Sequence, residues 1–321
     1  MPEQTMRAFV LEAPGRASSL AFVSRPTAGA GQILVRVGYS SVNPFDVLSA
    51  AGNVPPAVMP YRFPAVLGRD VCGEVVEIGA GVTRYRVGDR VWGFVKRAYI
   101  GDGTFAEYVC ISQDEYVQPL PDGLRPEDAG CLGLASVTAL QCVTALNLSS
   151  GSSILINGAT GGVGTMATQL AASAGLRVVA TARGSEEQVL MRELGAERTI
   201  DWSDGSISEQ VNSAVGRVAG LIDLISSDAD TFAGLLSETV AVGGAAVTTR
   251  GAAVAGSTAG VRTENIFSRS DVQLLARIAR HIEARELRVL RTREYAFDEI
   301  AEAMAAISEG AVGKVALRIS D

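Results

Sequence analysis

Histidine and cysteine are scarce in this sequence. Among 321 residues there is a single histidine, His281, which argues against most zinc enzymes and against serine hydrolases that use a histidine base. The four cysteines stand far apart and form no Cys-x-x-Cys pair. Scattered cysteines are more often reduced core residues than metal ligands or disulfide partners. The inventory therefore predicts neither a histidine-rich metal site nor a disulfide framework.

Runs of positive charge and long apolar runs are also missing. The net charge is −7 and no basic cluster occurs, so we expect no nucleic-acid partner. Glycine or polar residues interrupt each apolar stretch well before the length that spans a bilayer, so we expect no membrane partner. The N-terminal residues Met-Pro-Glu-Gln-Thr lack the basic and apolar regions of a signal peptide, which predicts a cytoplasmic protein.

The residues that are present indicate a globular enzyme. The sequence is 47% hydrophobic and 20% charged, which is ordinary for a folded enzyme. Its length exceeds what one hydrophobic core usually holds, so we expect two domains.

The most informative stretch is 153–165. The apolar residues 154–156 predict a buried parallel strand, and a helix-compatible segment follows directly after the stretch. Between strand and helix, Gly158, Gly161 and Gly164 allow a tight turn and a close approach of the backbone to a pyrophosphate. A plain strand-to-helix turn is the alternative, but this position in the chain favours a dinucleotide-binding turn. The candidate cofactor contacts in the turn are Ala159, Thr160, Gly161, Gly162 and Val163.

The chain before this stretch has a β pattern with many turns. Glycine and proline separate the short β-type runs, and a short helix begins near Asn43. The predicted strands are Met6–Leu11, Leu20–Val23, Ile33–Val37, Val71–Gly79, Asp89–Gly93 and Thr104–Val109. We therefore expect an all-β domain over about the first 120 residues, followed by an apolar helix over Ala129–Ala145.

After the glycine turn, strands and helices alternate. The predicted strands are Arg177–Ala182, Arg198–Trp202, Leu221–Ser226 and Ala245–Thr249, and the helices between them are Glu186–Leu194, Ile207–Val215 and Thr231–Val240. This alternation predicts a parallel sheet with helices on both faces. Ligands bind at the carboxyl ends of the strands in such sheets, so Ser226 and Thr248 are candidate contacts. Two more helices, near residues 274–282 and 297–307, and a strand, Lys314–Ile319, end the chain.

Several short motifs occur in an order that resembles a known family. They are Val42-Asn43-Pro44-Phe45-Asp46, Leu67-Gly68-Arg69-Asp70, Val87-Gly88-Asp89, Gly103-Thr104-Phe105, Thr138-Ala139, the glycine turn and Val312-Gly313-Lys314-Val315. Together they resemble the zinc-independent medium-chain dehydrogenase/reductases, in the quinone oxidoreductase (zeta-crystallin-like) branch. The resemblance implies an α/β fold in which a GroES-like β domain, built from residues 1–124 and 263–321, surrounds an inserted Rossmann domain with a doubly wound parallel sheet over residues 125–262.

The same resemblance implies NADPH as the cofactor, a cleft between the domains and a homodimer. We expect the last strand of the Rossmann sheet, near Val261–Ile266, to be an exposed edge, and such an edge favours pairing with a second copy.

The resemblance also assigns roles to single residues. Asn43 is implied to be an amide near the nicotinamide and the substrate, and Thr138 a contact to the nicotinamide ring. Lys314, in the last motif, is implied to be a further cofactor contact. From the residues alone, Asn43 equally suits a turn before proline, and Thr138 suits a helix hydroxyl bonded to its own backbone.

The sequence departs from the zinc-using relatives at their metal ligands. Where they carry Gly-His-Glu, this chain has Gly68-Arg69-Asp70, and Ser41-Val42 offers no thiol before Asn43. The segment 96–103, which corresponds to their four-cysteine lobe, contains no cysteine. Zinc requires a set of thiolate, imidazole or carboxylate ligands, so we expect no metal.

The residues after the second Rossmann strand bear on the nicotinamide cofactor. The strand ends at Ala182, and the guanidinium of the next residue, Arg183, can bind a 2′-phosphate that a carboxylate would repel. Alternatively, Arg183 points to solvent and Glu186 or Glu187 binds the ribose, although both glutamates lie in a first helical turn, where acidic residues are favoured anyway. We expect NADPH rather than NADH. Trp202, after the third strand, either flanks the adenine or fills the core.

An NADPH-dependent enzyme without zinc requires an acceptor that needs no strong Lewis acid. Quinones and α,β-unsaturated carbonyls meet this requirement, because their enolates need only hydrogen-bond donors. We therefore expect hydride transfer to a quinone or enone. The alternatives are an enoyl-thioester reductase of fatty-acid or polyketide type and a non-catalytic NADPH-binding protein. Phe45, Val47 and Leu48 stand where several quinone oxidoreductases carry a tyrosine, which makes Tyr61, Tyr99 or solvent the candidate proton donor.

Overall fold

The computed structural model describes residues 4–115, 117–254, 256–269 and 271–320. The chain divides into two compact units. Unit 1 comprises Met1–Leu134, Ser270–Arg280 and Arg291–Asp321, and unit 2 comprises Ala135–Arg269 and His281–Leu290. Both chain ends therefore belong to unit 1. Unit 2 begins at Ala135, whereas the sequence placed this boundary after residue 124.

The bounds of the elements are as follows. The strands are β1 Thr5–Leu11, β2 Ser19–Ser24, β3 Gln32–Val42, β4 Ala65–Val66, β5 Asp70–Ile78, β6 Arg90–Phe94, β7 Tyr108–Ser112, β8 Val117–Pro119, β9 Ser153–Asn157, β10 Arg177–Thr181, β11 Arg198–Ile200, β12 Val218–Asp223, β13 Val240–Thr248, β14 Gly256–Thr258, β15 Val261–Asn265, β16 Arg291–Ala296 and β17 Lys314–Arg318. The helices are α1 Pro44–Ala50, α2 Pro126–Ala129, α3 Gly133–Leu146, α4 Gly162–Ser173, α5 Gly184–Glu193, α6 Ile207–Val215, α7 Ala229–Thr239, α8 Val272–Glu283 and α9 Ile300–Ser308, with a 3-10 turn at Phe297–Glu299.

Unit 1 is built on β-sheets, as the first part of the sequence predicted. Its larger sheet has the order β16-β17-β3-β5-β6-β8, and β7 also pairs with β3; a smaller sheet has the order β2-β1-β4. The long strand β3 links the larger sheet, because it pairs with β5, β7 and β17. Its buried residues Ile33, Val35 and Val37 alternate along the strand and pack in one apolar core with Ile300 of α9. Sequence positions at the two chain ends therefore share this core.

Unit 2 contains the predicted parallel sheet. The strand order is β11-β10-β9-β12-β13-β15-β14, parallel except for the antiparallel pair β14 and β15. Ile154, Leu155 and Ile156 of β9 are completely buried, as a strand covered on both faces requires. The chain extends the sheet from β9 to β11 in one direction and then returns to place β12 on the other side of β9. The carboxyl ends of β9 and β12 are therefore the switch point, where ligands bind in sheets of this type.

Three predicted elements are corrected by the structure. The region 104–109 is not a strand throughout, because the amides of Thr104 and Phe105 donate to the Gly68 and Leu67 carbonyls, and β7 begins only at Tyr108. The single helix predicted over 129–145 is two helices, α2 and α3. Between them, Gly130 packs closely against Tyr39, because a Cβ at this position would lie 2.7 Å from Tyr39 Cβ.

The predicted strand 221–226 begins and ends three residues earlier, as β12. Its last residue, Asp223, ends the strand because the carboxylate accepts hydrogen bonds from the Ile225 and Ser226 amides. Ser226 therefore lies in the turn after β12. The strand near Val261–Ile266 is present as β15, but it is not the sheet edge, because β14 pairs with its outer side. The polar strand β16 had no alternating signal and was not predicted.

Among the described residues, no helix combines the length and the apolar composition that crossing a bilayer requires.

Candidate functional site

The glycine turn of unit 2 has the close backbone packing that its spacing predicts. Gly158 has φ +83°, a conformation that favours glycine, and it follows β9 directly. A Cβ at Gly164 would lie 2.3 Å from the Gly158 carbonyl oxygen, so only glycine lets α4 pack against this turn. A Cβ at Gly161 would meet the same oxygen at 3.6 Å, an ordinary contact. The turn therefore fits the backbone cradle that a pyrophosphate occupies at a helix N-terminus.

Thr181, the last residue of β10, supports this turn. Its side-chain oxygen accepts hydrogen bonds from the Gly158 and Ala159 amides, at 2.9 and 3.3 Å, and donates to the Ile156 carbonyl. The threonine ties the end of β10 to the turn after β9. Sequence reasoning gave Thr181 no role, because a hydroxyl at the end of an apolar strand does not reveal its partner.

The candidate cofactor residues of unit 2 lie at the carboxyl edge of the parallel sheet. Residues 159–163 join β9 to α4, and Ala182 and Arg183 follow β10. Trp202 lies two residues beyond β11, Ser226 lies three beyond β12, and Thr248 is the last residue of β13. Thr138 lies on α3 and is buried. The structure thus brings the strand-end candidates to one edge of the sheet.

Arg183 and Trp202 are neighbours at this edge. The guanidinium carbon of Arg183 lies 5.6 Å from the centre of the Trp202 ring, a cation–π arrangement. Trp202 is 48% exposed, so it does not fill the core, which was one of its two predicted roles. The aromatic face and the guanidinium are both presented at the surface of unit 2.

Two carboxylates hold the first amides of α5 beside Arg183. Glu187 accepts from the Arg183 amide at 2.7 Å, and Asp201 accepts from the Gly184 amide at 2.6 Å. Hydrogen bonds from Ser203 and from the Gly184 amide lower the pKa of Asp201. Because anions are favoured at a helix N-terminus, these side chains satisfy the end of α5 internally. A phosphate approaching Arg183 would meet both negative charges, and Asp201 was not anticipated from the sequence.

In unit 1, the amide of Asn43 is held on both sides. Its Nδ2 donates to Asp70 Oδ2 at 2.9 Å and to Asp46 Oδ2 at 3.2 Å, and its Oδ1 accepts from Lys314 Nζ at 2.6 Å. The backbone amide of Asn43 donates to Asp46 as well, which caps α1. The predicted residues Asn43 and Lys314 are therefore in direct contact, with both aspartates as additional partners.

Asp70 is the centre of this polar cluster. Its Oδ2 accepts from Ser41 Oγ at 2.5 Å and lies 3.3 Å from Lys314 Nζ, and its Oδ1 accepts from the Leu134 amide at 2.6 Å. Asp70 is completely buried and Lys314 is 2% exposed, so the two opposite charges compensate each other inside unit 1. Asp70 begins β5 and Lys314 begins β17, and no local pattern in the sequence indicates that the two side chains meet.

These residues do not fit a zinc ion. The positions that correspond to the ligands of zinc-using relatives hold the Ser41 hydroxyl, the Arg69 guanidinium and the Asp70 carboxylate. The Asp70 carboxylate is bonded to the Lys314 ammonium. A dication would be repelled by Lys314 and Arg69, and thiolate or imidazole ligands are absent from the positions. In the part of the chain that the structure describes, no group of three or more His, Cys, Asp or Glu side chains could hold a metal.

Asp46 and Arg69 line an open pocket in unit 1. Burial raises the pKa of Asp46 to about 6, although the nearby Arg69 charge and the bonds from Asn43 act in the opposite direction. The guanidinium carbon of Arg69 lies 4.1 Å from the centre of the Phe45 ring. Sequence reasoning noted Arg69 only as the replacement of a ligand, and it gave Asp46 no role.

The two tyrosine candidates for proton donation have different surroundings. The Tyr61 hydroxyl donates to the Ser49 carbonyl at 3.2 Å, accepts from the Val54 amide, and its ring stacks on Phe63. The Tyr99 hydroxyl donates to Asp102 at 2.5 Å, and Tyr99 lines the same pocket as Arg69. Burial is the largest cause that raises the pKa of each tyrosine.

The cysteines are reduced and unreactive in character. Cys72, Cys110, Cys131 and Cys142 are all free, and burial raises the pKa of each thiol to about 11 or 12. Cys72, Cys131 and Cys142 are buried, as the core role expected from their scattered positions requires, whereas Cys110 is only half-buried.

Comparison with known proteins identifies two domain families in the chain. Residues 29–122 match the alcohol dehydrogenase GroES-like domain, and residues 162–309 match the zinc-binding dehydrogenase family. The first match falls in the β-rich part of unit 1. The second begins inside the glycine turn of unit 2.

Individual relatives agree with these domains. A mycocerosic acid synthase-like polyketide synthase of Mycolicibacterium smegmatis is 37% identical over 207 residues, which are 64% of this chain and 9% of that protein. The trans-enoyl reductase tndF of Aspergillus flavipes is 34% identical over 224 residues, 66% of this chain and 64% of that protein. The chain thus spans less than two thirds of the length of these curated relatives.

A solved structure shares the fold over nearly the whole chain. The quinone oxidoreductase from Coxiella burnetii superposes with a TM-score of 0.86 and 25% identity, over 99% of this chain and all of that one. The matched GroES-like and dehydrogenase domains, in this order and with this shared fold, show that the protein belongs to the medium-chain dehydrogenase/reductase family of NAD(P)-dependent oxidoreductases.

Proposed function

We propose that the protein is an NADPH-dependent, zinc-independent reductase of quinones or α,β-unsaturated carbonyls. The observation that carries this proposal is the buried contact between Lys314, Asn43 and Asp70. The Lys314 ammonium and the Asn43 amide are bonded to the Asp70 carboxylate. In zinc-using relatives the position of Asp70 corresponds to one beside the metal. Simple ketones and alcohols therefore lack their usual Lewis acid here, and conjugated acceptors need none.

The cofactor is proposed to bind at the carboxyl edge of the sheet in unit 2. When bound, the nicotinamide supplies the hydride. The chain contributes the glycine cradle for the pyrophosphate and the Arg183–Trp202 pair for the adenosine end. Arg183 favours a 2′-phosphate, whereas Glu187 and Asp201 oppose it. We propose that the guanidinium dominates, because it can form direct charge-assisted bonds while both carboxylates are already bonded to backbone amides.

In unit 1 the polar cluster is proposed to fix the substrate side. Asn43 is held by three side chains, so its amide has one orientation at the start of α1. We propose Asn43 as the residue beside the reacting groups, and Tyr61 as a candidate proton donor. Because the Tyr61 hydroxyl donates to a backbone carbonyl, it would have to exchange this partner to deliver a proton. Solvent remains the competing proton source.

An enoyl-thioester reductase is a second candidate. Two curated relatives, a polyketide synthase and a trans-enoyl reductase by name, favour it. The two candidates share the hydride chemistry and differ in the acceptor, since a thioester carries a pantetheine arm. A non-catalytic NADPH-binding role is the third.

We propose that the assembly is a homodimer. The outer strand of the unit 2 sheet is β14, and its neighbourhood exposes Val242 and Val254, which are 83% and 62% exposed. The outer edge of a terminal strand, with apolar neighbours, favours pairing with a second copy.

The proposal is tested by a substrate panel. NADPH oxidation is followed with quinones, simple enones, enoyl thioesters that carry a pantetheine arm and their truncated analogues, alongside simple ketones. We expect turnover of quinones or enones and none of simple ketones. A thioester that is reduced much faster than its truncated analogue would assign the second candidate instead. Tight NADPH binding without turnover of any acceptor would refute a catalytic role.

A further inference from the structure

Unit 1 contains an open pocket with several polar groups in its walls. Its walls are the apolar side chains Phe45, Val66, Leu67, Val95 and Ile100 together with Asp46, Ser49, Arg69, Arg97 and Tyr99. The enclosed part of the pocket is about 20 Å³, room for about one small group such as a carbonyl oxygen, and the rest is open to solvent. Several polar side chains converge on it, as they do in sites that orient one end of a small molecule.

Arg69 is a largely buried cation of this pocket. Its backbone carbonyl accepts from the Val95 amide at 2.7 Å, immediately before β5 begins. Its guanidinium carbon lies 4.1 Å from the centre of the Phe45 ring of α1, and one nitrogen is 3.3 Å from Met59 Sδ. The residue is only 8% exposed, so its charge lies in a largely desolvated setting, where it acts more strongly on a neighbouring charge than it would in water.

Further polar groups that line the pocket include Asp46, Arg97 and Tyr99. Asp46 is negative when ionised, and the Arg69 charge acts to lower its pKa. Arg97 directs one nitrogen to the Cys110 carbonyl at 2.5 Å, and Tyr99 donates to Asp102. A substrate oxygen in the pocket would lie near the Arg69 charge and the Phe45 ring, because both side chains line it.

We propose that Arg69 is a catalytic residue that donates hydrogen bonds to the carbonyl oxygen of a quinone or enone in this pocket and stabilises the oxyanion that forms there. The inference rests on the proposed function. In the step, the β-carbon of an enone accepts the hydride and forms a C–H bond. The π electrons of the C=C bond form the enolate double bond between the α-carbon and the carbonyl carbon, and the π electrons of the C=O bond move to the oxygen. A proton from Tyr61 or from solvent then bonds to the α-carbon. In the overall reaction, NADPH, the enone and one proton are converted to NADP⁺ and the saturated carbonyl compound.

Arg69 thereby takes over the electrostatic task that a metal performs in zinc-using relatives. A guanidinium keeps its charge at all relevant pH values and presents planar N–H donors to an oxygen. Removal of one such donor from an oxyanion site typically lowers kcat by about 100- to 1,000-fold.

The binding test uses 4-nitrophenol, whose phenolate resembles the enolate and absorbs visible light. The pKa of the bound phenol is read from absorbance on the protein without cofactor. Because an opposite charge within reach lowers a pKa by about 1 to 3 units, we expect the wild-type protein to lower it by at least about 1 unit. Arg69→Met should abolish this shift, and Arg69→Lys should retain part of it.

Two further variants control for folding and for position. Arg69→Met combined with Asp46→Asn removes both charges, so no unpaired buried carboxylate remains, and it should lack the shift while keeping the thermal midpoint near that of wild type. Arg62→Met is the matched control, because the Arg62 guanidinium lies 3.8 Å from the Tyr99 ring but does not line the pocket. It should leave the shift unchanged.

Several results would overturn the assignment. They are an unshifted or unbound phenol with the wild-type protein, a shift that persists in the folded double variant, and a shift that disappears in Arg97→Met but not in Arg69→Met. Turnover of enones by a protein that leaves the phenol unshifted would refute only the role of Arg69. A shifted phenol without turnover of any acceptor would leave the anion site and refute the proposed reductase activity.

Discussion

The buried carboxyl of Asp46 predicts a specific dependence of stability on pH. Burial raises its pKa from 3.8 to about 6 in the folded protein, so the folded state binds a proton more tightly than the unfolded chain does. Each pKa unit corresponds to about 1.4 kcal/mol, which gives about 3 kcal/mol in total. This contribution is fully present below the unfolded pKa of 3.8 and is lost as the pH rises through about 6.

The substitution Asp46→Asn removes this dependence and keeps the size of the side chain. Between about pH 8 and about pH 5 the wild-type protein should therefore gain about 1.4 kcal/mol of unfolding free energy relative to the variant. Above about pH 6, where the wild-type group is ionised, the variant should have a weaker α1 cap, because its Oδ atom accepts more weakly than a carboxylate from the Asn43 amide. Ser49→Ala, on the same helix and without a titratable group, is the matched control.

The assay is urea unfolding at several pH values, followed by tryptophan fluorescence. The two tryptophans of the sequence fall in different units, Trp92 in unit 1 and Trp202 in unit 2. A Trp202→Phe background therefore makes the signal report on unit 1 alone. The reasoning would be refuted by a difference between wild type and Asp46→Asn that is constant over this pH range, or by one in which wild type gains stability as the pH rises.

Four further predictions concern the cofactor, the fold and the assembly. Arg183→Ala should lower the NADPH-to-NADH preference in KM roughly 10- to 100-fold with little change in kcat, because a charge-assisted contact contributes about 1.5–3 kcal/mol; an unchanged ratio would assign the phosphate to another residue. Gly164→Ala should lower the thermal midpoint, since its Cβ would lie 2.3 Å from the Gly158 oxygen, whereas Gly161→Ala should fold normally; equal midpoints would contradict the packing. Elemental analysis should find no stoichiometric zinc, and activity that chelators abolish would count against this. Light scattering should give twice the chain mass of 33.4 kDa, and a monomer at micromolar concentration would exclude the dimer.

The sequence determined the elements whose signals are local. An apolar triplet followed by three spaced glycines specified β9, the turn and α4, because strand burial, positive φ and helix packing all depend on residues within one short segment. The alternation of strands and helices then specified the parallel sheet, and with it the edge at which Arg183, Trp202 and Thr248 lie. Family resemblance added the order of the two domains.

Predictions from local sequence were wrong where a residue or strand that is distant in the sequence determines the structure. The short run 104–109 has a strand-like composition, but its first amides bond to the carbonyls of residues 67 and 68. Val261–Asn265 reads as a last strand, and only the pairing with β14 shows that it is covered. From the sequence, the backbone amides beside Arg183 have no evident partner. In the fold, the Gly184 amide donates to Asp201, which is 17 residues away.

The polar cluster of unit 1 was decided by tertiary structure alone. Asn43 and Asp70 are 27 residues apart and Asn43 and Lys314 are 271 apart, so no periodicity connects them. They meet because β3 pairs with β5 on one side and with β17 on the other, in a register that sets Val42 opposite Val315 and Tyr39 opposite Cys72. That register places the ends of three strands together, and their charged residues are buried as a set because each supplies the hydrogen bonds that the others lose with water.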